Sequence, residues 1–248
     1  LENFESLAKE GDAEAQSTLA FMYYHGLGVS KDLGKALKWV KKAAKQGDPE
    51  SQYALANVYR KGKGAPRDID KAIKWYKKAA GQGNPKAQTA IGVLYFQGKV
   101  VPKDEDKAVK WYKKAAKQGH PDAQAFLGGM YYTGEDVPKD LEKALKWSKN
   151  AANQGRQDMQ FILGLMHFHG KDVPQNFEKA LKWYKKAAKQ GYAKAQTQLS
   201  VMYTMGMGTS QNYIQAHKWA NLAAAQKKEK AERLRDDLAK KMTPEQVS

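Results

Sequence analysis

The chain has 248 residues, with 43 Lys and Arg against 26 Asp and Glu, a net charge of +17 and no cysteine. The missing cysteines exclude disulfides, a thiolate nucleophile and cysteine-ligated zinc, and no stretch reaches the roughly 18 consecutive apolar residues of a membrane-spanning helix. So basic a balance invites nucleic acid or an anionic membrane as partner, and the placement of the lysines decides how far charge carries that reading.

Residues 1–10 align with the second half of a motif that recurs along the chain, KALKWYKKAAKQG at 179–191 in its fullest form. Phe4 stands in the place of its tyrosine and Leu7-Ala8 in that of its Ala-Ala pair, which predicts a partial N-terminal cap. Six repeats of 36 residues follow without a slip in register, at 11–46, 47–82, 83–118, 119–154, 155–190 and 191–226. A period of this length signals stacked units that bury an apolar face only against their neighbours.

Each repeat predicts two helices. Helix A opens with cap chemistry at Asp12, Asp48, Asn84 or His120, followed in three copies by Pro49, Pro85 or Pro121. It carries an apolar column (Leu19, Leu55, Ile91, Leu127, Leu163, Leu199), then a small residue, then a tyrosine four residues after the apolar column, replaced by His167 in the fifth copy. It ends at Gly26, Gly62, Gly98, Gly134, Gly170 or Gly206, suited to a left-handed cap. Helix B is capped by Asp32, Asp68, Asp104, Asp140, Asn176 or Asn212 and repeats an alanine, a tryptophan three residues on and an Ala-Ala pair, one buried stripe. Beyond residue 226 the pattern changes. A last atypical helix is predicted over 228–241, using Ala231, Leu234 and Leu238, and Thr243-Pro244-Glu245-Gln246 has the form of a further helix start, so that 227–248 reads as a capping helix and a truncated tail.

The repeated Leu-small-x-x-Tyr-x-x-Gly of helix A, the Val-Pro-x-Asp type of loop and Lys-Ala-Leu-Lys-Trp-Tyr-x-x-Ala-Ala-x-Gln-Gly in helix B resemble the Sel-one-like repeat (SLR) family, relatives of tetratricopeptide repeats. The resemblance implies an all-α fold: a right-handed α/α superhelical solenoid of helix-turn-helix repeats, here a single domain over 1–248. It also implies a concave surface lined by the A helices that binds a protein or peptide, in a non-catalytic adaptor without cofactor. Known relatives act in endoplasmic-reticulum protein degradation or are bacterial, often periplasmic, secreted, or engaged in host contact and interbacterial competition. A bacterial, periplasmic or secreted protein, acting as a monomer, is therefore the expectation, with the cytoplasm left open because Leu1 is not an initiator methionine. Cysteine-rich relatives have been described as penicillin-binding or weakly β-lactam-hydrolysing; that alternative is set back here by the missing cysteines.

Positions that repeat suggest scaffold. The Trp and Tyr columns read as core, and the glutamine column Gln16, Gln52, Gln88, Gln124, Gln160 and Gln196 reads as a hydrogen bond between neighbouring units. Of the lysines, 23 fall on helix B, leaving 20 basic against 26 acidic residues elsewhere. They read as a solvated convex face pointing away from the tryptophan stripe, with weak contact to an anionic surface as the alternative, and without the aromatic-basic groove that nucleic acid would require.

Positions that vary suggest function. Tyr24, Arg60, Phe96, Tyr132 and Phe168 follow the Tyr column, and His25, Gln97, Thr133, His169 and Met205 come next. Phe21 and Asn57, one turn earlier, share a neighbouring face, and the whole set is the predicted partner-binding surface. His167 and His169 lie on different helical faces with no recurring carboxylate to complete a metal set. No catalytic constellation emerges.

Overall fold

The computed structural model of the chain describes residues 2–135, 137–226 and 229–243. Among these residues there are fourteen helices and no strand. They are α1 (Glu2–Glu10), α2 (Ala13–His25), α3 (Leu33–Lys45), α4 (Pro49–Lys61), α5 (Ile69–Gly81), α6 (Pro85–Gln97), α7 (Glu105–Lys117), α8 (Pro121–Thr133), α9 (Leu141–Asn153), α10 (Gln157–His169), α11 (Phe177–Lys189), α12 (Ala193–Met205), α13 (Tyr213–Ala224) and α14 (Glu229–Ala239). Two compact units, residues 1–123 and 124–248, divide the chain inside α8. Within each unit helices pack on their neighbours in sequence, as a chain of helix-turn-helix repeats does.

Local chemistry sets the helix ends. Asp12, Asp48 and Asn84 cap α2, α4 and α6 by accepting from the backbone N–H three residues on, at 2.6, 2.7 and 2.9 Å. In the later copies Arg156 and Tyr192 replace the cap residue and make no side-chain cap bond. All six predicted caps of helix B form, from Asp32 to Asn212. The glycine that closes each helix A matters for its backbone: Gly62, at φ 69°, donates its N–H to the Val58 carbonyl from a left-handed conformation that a side chain would strain. The chain then returns quickly, because the N–H of each helix-B cap residue donates to the carbonyl of the Tyr column, as Asp68 does to Tyr59 at 3.0 Å.

The apolar column of helix A is buried in all six repeats, and so is every Ala-Ala pair of helix B. The tryptophans depart from the expected core role. Trp39 and Trp219 are buried, but Trp75, Trp111, Trp147 and Trp183 are half-buried. The deepest aromatic side chains are instead Tyr76, Tyr112 and Tyr184, the residues that follow a tryptophan on α5, α7 and α11. Each presses on the small position of the preceding helix A: a Cβ added to Gly92 would come within 2.6 Å of the Tyr112 ring. Burial pushes the phenols of Tyr112 and Tyr184 well above the ordinary tyrosine value.

The lysines also depart from expectation. Lys42, Lys78, Lys114 and Lys186 do not point away from the tryptophans but lie over their rings, at 4.6, 4.6, 4.5 and 4.4 Å from the centroids. A residue three positions on shares the helix face, so the half-exposed indole gains a cationic lid. A second set, Lys71 and Lys107, bonds the helix-B cap carboxylate at 2.7 and 2.8 Å and leans over the Tyr column.

The glutamine column does link neighbouring repeats. The Gln52 amide donates to the Ala44 carbonyl at 3.2 Å and accepts from Gln82 at 2.8 Å, and Gln82 donates also to the Gly47 carbonyl at 2.9 Å. Within each repeat the same glutamine pair joins helix A to the end of helix B, Gln16 to Gln46 and Gln88 to Gln118 in the first unit, and Gln160 to Gln190 and Gln196 to Gln226 in the second. The second glutamine of each pair, in the Gln-Gly that ends the motif, carries no special signal in the sequence beyond its repetition.

At the ends, Ala8 of α1 is buried and its carbonyl accepts from Gln16, as the alignment with later repeats predicts. Phe4 and Leu7 stay exposed. The last helix buries Ala231 and Leu238 and half-buries Leu234. Residues 244–248, which include most of the predicted further helix start, lie outside the described residues, as do 227 and 228.

Candidate functional site

In the first unit α2, α3 and α4 surround a cavity of about 440 Å³. Five of the predicted partner-binding residues line it: Phe21, Tyr24 and His25 from α2, and Asn57 and Arg60 from α4. Its lining is largely apolar, with Ala20, Ala36 and Val40 buried at its base. Phe21 is 57% exposed and lies at 4.4 Å, ring to ring, from His25, which also meets Tyr24 edge-on at 4.9 Å. Helical spacing brings these rings together, because Phe21 and His25 are one turn apart on α2.

The opposite wall is polar and pre-arranged. Tyr76 donates its hydroxyl hydrogen to Asn57 Oδ1 at 2.9 Å and accepts from Arg60 Nε at 3.0 Å. Asn57 donates to the Tyr53 carbonyl at 3.1 Å, and a further guanidinium nitrogen of Arg60 meets Asn57 Oδ1 at 3.3 Å. Asn57 and Arg60 therefore serve the core as well as the surface, satisfying a buried phenol whose pKa burial raises against the opposing pull of Arg60. Lys61 and Lys63 add charge to the rim, while Glu50 is already engaged by Asn84 and Lys86 at 2.9 and 3.1 Å.

The Sel1 repeat profile matches the chain six times, over residues 13–48, 49–84, 85–120, 121–155, 157–192 and 193–228. The chain belongs to the Sel1 repeat family. Its Sel1 repeats are similar to those of c5321, a protective antigen present in uropathogenic Escherichia coli strains and displaying an SLR fold, at 37% identity and a TM-score of 0.87 over 94% of this chain. The chain spans 50% of that antigen's length. A Sel1 repeat protein from Oxalobacter formigenes is 32% identical, with a TM-score of 0.82 over 91% of this chain and 99% of that one. The immunity protein Pa5087 from Pseudomonas aeruginosa, 24% identical at a TM-score of 0.53 over 86% of this chain and 81% of its own, shares the fold alone. No curated protein sequence matches the chain. Sel1 repeat proteins are usually protein-interaction scaffolds, and their fold is typically non-catalytic.

The remaining predicted residues do not join the cavity. Phe96 and Gln97 end α6, with Phe96 half-buried under the Lys103 ammonium at 5.9 Å and Gln97 exposed. In the second unit Tyr132 is half-buried. Lys139 lies 5.5 Å over its ring and 3.7 Å from Asp172, and burial with the Asp172 carboxylate raises the Tyr132 phenol. Thr133 turns its hydroxyl back to the Met130 carbonyl at 3.4 Å. Phe168 packs inward, 5.4 Å from Phe177 and 6.5 Å from Tyr184, leaving the adjoining His169 exposed. Met205 is exposed on α12. Of the variable positions, then, Phe168 leans to core packing and Asn57 to a structural hydrogen bond, because a helix face is graded from core to solvent and periodicity does not say where each position falls.

His167 is buried in the Tyr column, and burial with the nearby Lys179 holds its imidazole below the ordinary value. Among the described residues no group of three or more metal-ligating side chains comes together. Sequence reasoning missed a groove of basic and aromatic character on the helix-B side of the third repeat, where Tyr95 and Trp111 stand with Lys107, Lys110, Lys113, Lys114 and Lys117. Its only signal in the sequence was the Trp–Lys spacing of three.

Proposed function

We propose that this Sel1 repeat chain is a non-catalytic adaptor that takes a protein or peptide on the exposed A-helix face, the face read from the sequence as concave. The observation that carries the reading is the cavity between α2 and α4, which gathers five of the positions that vary between otherwise uniform repeats. An apolar floor with a few fixed polar groups at its edge is the usual make-up of a recognition pocket. The E. coli relative is a protective antigen, which supports a place for this chain in the cell envelope or outside the cell; fractionation of the full-length protein in its own host tests that placement.

Selection of a random displayed peptide library against the whole chain tests the binding reading. The expected result is a set of peptides whose affinity falls by about tenfold or more, or about 1.4 kcal/mol, when Phe21→Ser and Tyr24→Ser are combined. The reading fails if no peptide is enriched over an unrelated helical control, or if the enriched peptides bind this variant as tightly as the parent while its helical content is unchanged.

A further inference from the structure

The cavity in the first unit lies where other repeats of the same chain place a tyrosine. Tyr76, Tyr112 and Tyr184 each follow the tryptophan of helix B and are fully buried against the small residue of helix A. In the first repeat that position is Val40, opposite Ala20, and both line the cavity. Valine lacks the ring, so the space a phenol fills elsewhere is left open to the α2–α4 surface. The pairing of Tyr76 with Ala56, itself buried, shows that alanine in the facing position leaves room for that ring.

The other small residues at this position are sealed. Ser148 stands so close to α8 that a Cβ on Gly128 would come within 2.5 Å of its hydroxyl oxygen, so those helices have closed on one another. Ala220 is covered in a core cluster with Met202 and Leu238. In the first repeat the lining of the open cavity includes an exposed aromatic side chain, Phe21.

We propose that this cavity accepts a phenylalanine or tyrosine side chain from a partner segment, which supplies the ring that Val40 lacks, with an aspartate or glutamate beside it facing Arg60, Lys61 and Lys63. The inference rests on the peptide-binding reading above and names its ligand. Aromatic preference follows from the volume and from the Phe21 and Tyr24 rings at the edge, against which an incoming ring stacks. Acidic preference follows from three cationic side chains on the rim and one carboxylate, Glu50, whose charge is already matched by Lys86.

Peptides recovered from the displayed library provide the probe. The expected consensus is an aromatic residue next to Asp or Glu, and replacing that aromatic by serine in the synthetic peptide lowers affinity by about tenfold or more. Val40→Tyr fills the cavity from within, and is expected to abolish binding of the same peptides while helical content and melting temperature hold at or above those of the parent. A second variant, Lys61→Glu with Lys63→Glu, changes exposed side chains and is expected to shift the selected consensus from acidic to neutral or basic. Peptides that need Phe21 and Tyr24 but tolerate both Val40→Tyr and loss of their aromatic residue would overturn the inference and leave the wider reading intact. Should Val40→Tyr unfold the chain, an unchanged acidic preference in the lysine variant, or a consensus with no aromatic residue, overturns it instead. A library that yields no binder overturns both.

Discussion

Removing the ring of Tyr112 would open a void against Gly92 that the surrounding helices, already in contact, could fill only in part. Tyr112→Ala should therefore cost about 3–5 kcal/mol, the range for truncating a buried aromatic side chain, whereas Trp111→Ala should cost only about 1–2 kcal/mol because its indole is half-buried under Lys114. Urea melts of the two variants check the order, and a tryptophan loss equal to or above the tyrosine loss would contradict it. The sequence favoured the wrong member of the pair. All six tryptophans recur in register, while the following position runs Val40, Tyr76, Tyr112, Ser148, Tyr184, Ala220, so constancy pointed to Trp as the core residue. Adjacent residues on a helix lie about 100° apart, so periodicity marks out a stripe but not which edge of it lies deepest. The same limit explains why Asn57 and Phe168, read as surface, prove to be partly structural.

Between the elements, each column glutamine bonds a carbonyl of the preceding repeat and, through its paired glutamine, ties the two helices of its own repeat together. Gln52 is buried and holds both the Ala44 carbonyl and the Gln82 amide, so Gln52→Ala removes two hydrogen bonds at a buried site and should cost about 1–3 kcal/mol. Gln82→Ala should cost less, since that side chain is more exposed. A double-mutant cycle is expected to give a coupling of about 0.5 kcal/mol or more, and strictly additive losses would show that the pair does not act as a unit. Helix limits were legible at this scale because they depend on neighbours in sequence: an Asp or Asn immediately ahead of a helix, a proline in its first turn, a glycine after its last. The role of Gln16 and its counterparts could also be read, since only a shared structural need places the same buried-side amide at every step. Its partner was not legible, because a residue 30 positions away comes alongside only when the A and B helices of one repeat fold back on each other.

For the molecule as a whole, a charge of +17 with 23 lysines on the helix-B series sets up repulsion that the cation–π contacts and cap carboxylates offset only locally. Added salt should therefore raise the melting temperature of the chain between about 10 mM and 150 mM, as the screening length contracts from about 30 to 8 Å; a flat or falling dependence would show that the lysines are already neutralised by their partners. By itself the sequence determined the helical class, the 36-residue repeat, the helix caps and the family, because each of these is written in local preferences repeated six times. Only the tertiary structure decided which aromatic residue of each pair fills the core, how the lysines lie over the tryptophans, and where Val40 leaves a cavity open beneath Phe21 and Tyr24. Those outcomes depend on the fit of side-chain volumes across helices distant in sequence, and a missing ring becomes a cavity only where the facing helices have not closed over it.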